Sequence, residues 1–168
     1  MIGQIVTHTP IWVWLLLAGL CFIGFQQTKT RQVTRQRLLI LPLAMLGLSI
    51  MSLQNSFGFQ ITVLEAWLGG LLASAWLTTH LTPSMGGSDD APTSLITVQG
   101  SWLPMILILA MFVTRYVLNA GLTVKPELAQ ISGFSVGIAI AFGLINGAFL
   151  GRVFGLVFMG QKPMRLPA

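Results

Sequence analysis

Five apolar blocks, separated by polar segments, dominate the pattern of hydrophobic and polar positions along this chain. Their lengths are close to the roughly 20 apolar residues with which a helix crosses the hydrocarbon core of a bilayer. We therefore predict an all-α fold class, a polytopic membrane helix bundle that forms one integral membrane domain over residues 1–168. The five predicted transmembrane helices cover residues 10–25, 38–57, 61–79, 102–122 and 128–155.

The polar segments contain residues that indicate where helices begin, turn and end. Thr9 and Pro10 suit the cap and the first residue of a helix. The stretch QNSFGFQ, residues 54–60, is short and predicts that the second and third spans run antiparallel. The longest polar segment, residues 80–101, contains prolines and glycines that exclude a continuous helix, and its SLITVQ stretch favours a short extended piece.

Glycine recurs at every fourth position of the fifth block, at Gly143, Gly147, Gly151 and Gly155. Glycine destabilises a helix in water by about 1 kcal/mol relative to alanine. In a membrane, small residues instead allow two backbones to approach, and close packing drives helices together. Four residues advance a helix by about 400°, so the stripe drifts by about 40° per step and suits a neighbour that crosses at a right-handed angle.

The third block carries a matching stripe of small residues at Ala66, Gly70 and Ser74. This match favours close packing between the third and fifth spans. Two alternatives stay open: the stripe on the fifth span joins two copies in a homodimer, or it holds a lipid, a quinone or another flat ligand.

Basic residues are unevenly divided between the two ends of the predicted bundle. The chain has nine Lys and Arg residues against four Asp and Glu residues. Spans that alternate in direction bring seven of the basic residues to one end: Lys29, Arg31, Arg35, Arg37, Arg152, Lys162 and Arg165. Only Lys125 and Arg115 belong to the other end. The positive-inside rule then predicts an N-terminus outside and a C-terminus in the cytoplasm.

Two ionisable residues, Glu65 and Arg115, lie well inside predicted spans and are candidate binding residues. They lie about 7 and 10 Å from the same face of the bilayer at 1.5 Å per residue, which allows an ion pair. Alternatively, Glu65 sits in the first turn of its helix, where the helix dipole favours it, and Arg115 extends to the outer headgroups.

Arg152 is the third candidate binding residue. It lies about 36 Å from the start of the fifth span, beyond the roughly 30 Å of hydrocarbon. We therefore expect it at the inner interface, where Asp89 or Asp90 is within reach.

Candidate chemistry is sparse elsewhere. His8 and His80 fall on opposite faces of the predicted bundle, and Cys21 is the single cysteine, so we predict no metal site and no cofactor. The basic residues cluster at the ends of apolar blocks, without aromatic residues interleaved on a polar surface, so we predict no nucleic-acid partner.

Four stretches carry a resemblance to a known family: THTPIWVWLLLAGL, RLLILPLAM, GSWLPMILILAMF and NGAFLGR. Together they resemble small inner-membrane proteins grouped as domain of unknown function 6622. The resemblance implies a multi-pass inner-membrane protein of Gram-negative bacteria, and it supplies no catalytic residues. A looser likeness is to CcdC-type membrane proteins linked to cytochrome c maturation, but no pair of thiols or haem ligands supports that role here.

Three classes of function remain at this point. The first is a non-enzymatic membrane protein that acts through partners or in membrane assembly, with the lipid bilayer and a homo-oligomer or another membrane protein as the expected partners. The second is a small-solute or ion transporter or channel formed by oligomerisation, with Glu65, Arg115 and Asn146 along its path. The third is an intramembrane enzyme, which the lack of a visible catalytic constellation disfavours.

Overall fold

The computed structural model describes residues 18–19, 21–22, 24–26, 28–29, 31–81, 95–98 and 100–155, with only the backbone described at 31–37, 81 and 95–98. The main helices are α1 (Arg35–Phe57), α2 (Ile61–Leu81), α3 (Leu103–Val124) and α4 (Ser132–Phe154). A 3₁₀ helix, Pro126–Gln130, joins α3 to α4. Two short strands, β1 (Arg31–Thr34) and β2 (Leu95–Val98), are also described.

Four helical segments are long and apolar enough to cross a membrane: Leu38–Phe57, Ile61–His80, Leu103–Val124 and Ser132–Phe154. They lie where the sequence predicted the second to fifth spans. Of the first predicted span, residues 10–25, only a few residues belong to the described part of the chain, and several of these are helical. The five-span arrangement therefore stays a prediction beyond these four helices.

A tight turn joins α1 to α2 at Gly58. Its φ of 70° lies in the left-handed region, which glycine enters without the steric cost of a Cβ atom. The Gly58 N–H donates to the carbonyl of Gln54 at 2.9 Å, and the side-chain amide of Gln60 donates to the carbonyl of Phe57 at 3.0 Å. These bonds satisfy carbonyls that the end of α1 would otherwise leave unpaired.

The two strands form a small antiparallel ribbon that adds to the helical fold. Its register pairs Arg31 with Val98 and Thr34 with Leu95. β2 lies in SLITVQ, where the sequence predicted an extended piece. Its partner β1 lies in a polar, basic segment for which no strand was predicted. A lone strand leaves its backbone N–H and C=O groups without partners, and pairing satisfies them.

Helix α4 is the central element of the bundle. α2 packs along most of its length, and α3 and α1 also contact it. Because α4 is surrounded by other helices, apolar side chains at its contacts are fully buried, among them Phe142 on α4 and Ile108 and Leu118 on α3. Large exposed apolar side chains occur on the outward surfaces of the bundle, which suits contact with lipid.

α4 begins later than the sequence predicted. The fifth span was placed from residue 128, but residues Pro126–Gln130 form the 3₁₀ helix and α4 starts at Ser132. Ile131, between the two, has an extended backbone with φ −82° and ψ 107°, which interrupts the helical path. The hydrophobic pattern does not reveal this interruption, because three of residues 128–131 are apolar, as they would be in the first turn of a transmembrane helix.

Candidate functional site

The glycine stripe of α4 lies against the backbone of α2. Each of three glycines faces a backbone carbonyl of α2, in the pairs Gly143–Trp67, Gly147–Leu71 and Gly151–Ala75. A Cβ atom added at Gly143 or Gly147 would overlap the facing oxygen, and at Gly151 it would lie 2.6 Å from it. Only glycine allows this approach.

The pairing also gives the relative direction of the two helices. Residue numbers rise together along both, so α2 and α4 run parallel. If successive spans alternate in direction, the third and fifth spans, which correspond to α2 and α4, run parallel.

The small residues of α2 contribute from the opposite side. A Cβ atom on Gly70 would lie 2.9 Å from the carbonyl oxygen of Ile140, and Ser74 donates a hydrogen bond of 2.7 Å to the carbonyl of Leu144. Ala66 is partly buried and packs against the core. Gly70 and Ser74 thus lie in this contact.

Gly155 differs from the other three glycines, because a Cβ atom there would meet nothing within 4 Å. The close contact therefore ends at Gly151, one step before the predicted end. A stripe that drifts by about 40° per step turns away from a neighbouring helix in this manner. Since α2 already occupies the glycine face, a second copy has no access to it within this arrangement.

The structure does not join Glu65 and Arg115 in an ion pair. Glu65 is exposed on α2, and Arg115 is partly buried on α3. The helices that carry them both pack on α4 and make little direct contact with each other, which separates the two side chains.

A buried polar contact joins α1 to α4 at Ser49 and Asn146. The Asn146 side-chain amide donates to Ser49 Oγ at 2.6 Å, and Ser49 Oγ donates to the carbonyl of Leu46 at 2.9 Å. Asn146 Oδ1 and Trp67 Nε1 are buried and have no hydrogen-bond partner in the described part of the chain. The sequence offered one signal for this contact, an asparagine in the middle of an apolar helix.

Arg152 lies in the last turns of α4 and is only 8% exposed. Its Nη1 donates to Ser101 Oγ at 3.0 Å, and the same oxygen accepts the N–H of Leu103 at 3.2 Å. The end of α4 therefore lies beside the start of α3. Asp89 and Asp90, the predicted partners of Arg152, lie outside the described residues.

The described basic residues divide between the two ends of the bundle. The start of α1, the ribbon, the start of α3 and the end of α4 lie together, through the ribbon pairing and the Arg152–Ser101 bond. This end, which we call the basic end, includes Lys29, Arg31, Arg35, Arg37 and Arg152. Lys125 lies at the other end of α3, beside the 3₁₀ helix.

The remaining candidate residues for chemistry or metal binding do not lie together in one site. Within the described ranges, no three His, Cys, Asp or Glu side chains are grouped so that they could hold a metal ion. His80 lies near the end of α2, its ring 4.8 Å from that of Trp76. Cys21 is a free, partly buried thiol, and His8 lies outside the described residues.

Comparisons with known proteins relate the chain to uncharacterised proteins. An uncharacterised protein of Pasteurella multocida (strain Pm70) is 50% identical over 64 residues, which are 34% of this chain and 50% of the relative. The alignment thus spans about half the length of that relative. No solved structure matches the chain. The family of unknown function DUF6622 matches residues 1–167, and the chain therefore belongs to that family.

Proposed function

We propose that this protein is a non-enzymatic, multi-pass protein of the bacterial inner membrane that acts by binding another membrane protein. The observation that carries the proposal is the position of Glu65, an ionisable residue five residues into α2 whose side chain is exposed on the outside of the bundle. A charged group within a span is costly unless it reaches water, a headgroup or a partner. Among the charged residues within the spans, Glu65 is thus the one whose side chain is exposed at the outer surface, whereas Arg115 is partly buried and Arg152 is buried.

The interior supports the same proposal. Its buried polar residues are Ser49, Ser52, Ser135, Asn146 and Arg152, among apolar side chains. Asn146 serves to join two helices through Ser49. The bond between Asn146 and Ser49 thus has a structural role in the interior, which leaves the outer surface for recognition.

A transporter or channel formed by oligomerisation is the alternative. Glu65 is exposed, Arg115 is partly buried on a different helix, and Asn146 is enclosed between α1 and α4. These three residues have separate surroundings in one chain, so a path that uses all three would require several chains. No observation on the described residues favours this alternative over the first.

Site-specific photocrosslinking in intact membranes tests the proposal. A photoreactive residue placed at Leu68, one turn from Glu65 and exposed, is expected to give a discrete adduct with a second membrane protein. Glu65→Gln is expected to weaken that adduct. Ile106, exposed on α3, provides the matched control position.

Two results would argue against a partner at this face. One is an adduct of equal yield at Leu68 and Ile106. The other is an adduct that contains only further copies of this chain, which would favour the oligomeric transporter.

A further inference from the structure

Arg152 is a buried cation for which the described part of the chain provides no buried anion. Its side chain is 92% enclosed, and its one hydrogen-bond partner among the described residues is the neutral hydroxyl of Ser101. No described carboxylate pairs with it. A guanidinium has five N–H donors and no acceptor, and burying such a charge is costly unless a counter-charge accompanies it.

The neighbouring helix increases the positive potential. Ser101 lies immediately before α3, and the first-turn N–H of Leu103 already donates to its hydroxyl oxygen. The start of a 22-residue helix carries a partial positive charge from its aligned peptide dipoles. Arg152 therefore lies beside the end of α3 that repels a cation and attracts an anion.

The segment that ends at Lys29 contacts the residue before Ser101. Gly100 packs against the backbone of Thr28 and Lys29, and a Cβ atom at Gly100 would collide with the carbonyl oxygen of Thr28. Lys29 itself is exposed, and its ammonium lies 5.9 Å from the centre of the Phe25 ring, so its charge belongs to the surface of this end. The positive charge at the site therefore comes from Arg152 and the start of α3, and a bound anion would balance it.

We propose that Arg152, Ser101 and the start of α3 form a binding site for a phosphate-type anion at the basic end of the bundle. The planar guanidinium matches two phosphate oxygens, and the partial positive charge at the start of α3 favours an anion. Arg152 is the third residue from the end of a 23-residue span. At about 1.5 Å per residue this places it near the headgroup level, so the phosphate of an anionic phospholipid and a free phosphate share the required chemistry.

The test uses the full-length protein in an uncharged maltoside detergent, with unfolding temperature followed by tryptophan fluorescence. Phosphatidylglycerol is titrated against diacylglycerol, which lacks the phosphate, and sodium phosphate against sodium chloride at equal ionic strength. We expect a saturable rise with phosphatidylglycerol and none with diacylglycerol. A rise with sodium phosphate as well assigns a general anion site, and a rise with the lipid alone assigns a headgroup site. A protein that responds to neither phosphate source overturns the proposal.

Variants locate the response. Arg152→Gln should raise the half-saturating concentration roughly tenfold or more, since a hydrogen bond to a charged group contributes at least that factor. Lys125→Gln removes one exposed positive charge at the other end and should respond like the wild type. Arg152→Lys and Ser101→Ala, which disturb the fold less, should each weaken the response by a smaller factor.

Two outcomes would refute the location. One is an equal loss in Lys125→Gln and Arg152→Gln, which indicates unspecific attraction. The other is a wild type that does not respond while Asp89→Asn/Asp90→Asn does, which shows that an internal carboxylate neutralises Arg152.

Discussion

Asn146 is the residue whose environment the linear pattern explains least. It is 1% exposed in the middle of α4, where it donates to Ser49, 97 positions earlier in the chain. Hydrogen bonds between membrane helices contribute about 0.6 to 2 kcal/mol each. The contact therefore acts as a specific link between α1 and α4 within an otherwise apolar interface.

Removing the Ser49 hydroxyl tests this link. Ser49→Ala should lower the free energy of unfolding in detergent by about 1 kcal/mol, because the Asn146 amide then loses its partner. Ser52→Ala is the control, since Ser52 is buried on the same helix but donates to no residue of α4 among the described contacts. Equal losses from both substitutions would show that the bond to Asn146 contributes nothing.

Glu65 and Arg115 provide a second test at the residue scale. Because they lie on helices that both pack on α4 and form no ion pair, Glu65→Gln and Arg115→Met should change stability independently. The double variant should equal the sum of the two single effects within about 0.5 kcal/mol. A double variant that recovers a substantial part of the loss would show that the two side chains interact in the membrane.

At the scale of elements, the α2–α4 contact depends on the absence of side chains. Gly143 and Gly147 face backbone atoms of α2 so closely that a methyl group does not fit. Backbone atoms cannot rotate away as side chains do, so any added atom separates the helices. One such substitution would therefore disturb the packing along the whole contact between α2 and α4.

Matched alanine substitutions on α4 separate packing from helix propensity. Gly147→Ala should destabilise the protein by about 1 to 3 kcal/mol, because the new Cβ overlaps the Leu71 carbonyl. Gly137→Ala should be neutral or stabilising, because nothing lies within 4 Å of its position and alanine favours the helix by up to about 1 kcal/mol. Thermal unfolding in detergent measures both. A stabilising Gly147→Ala would contradict the close contact.

At the scale of the whole molecule, the connections between elements agree with an alternating path. α2 and α4 run parallel, while the end of α4 meets the start of α3. Basic residues accumulate at the end that contains the ribbon. We interpret that end as the cytoplasmic one, following the positive-inside rule.

Reporter fusions check the orientation. A fusion after residue 168 should report the cytoplasm, and a fusion within residues 123–127, at the other end of α3, should report the exterior. Lys125→Gln in the second fusion serves as a control, because removing its charge should not change the result. Two fusions that report the same compartment would contradict alternating spans.

Much of the architecture follows from the sequence, because the relevant physics is local. Blocks of about 20 apolar residues predict helices long enough for a bilayer, and the described residues contain four such helices. The four-residue spacing of glycine predicts a face on which backbones can approach. β2 likewise follows from a short run of residues that favour extended structure.

The remaining features depend on tertiary structure, because a linear pattern does not specify which faces meet. The bond of Arg152 to Ser101 and that of Asn146 to Ser49 each join residues far apart in the chain. The pairing of β1 with β2, and the separation of Glu65 from Arg115, likewise result from how the helices pack around α4. The hydropathy of a residue predicts whether it prefers water or an apolar environment. It does not predict which residue of another helix it will contact, and the contacts named here depend on that.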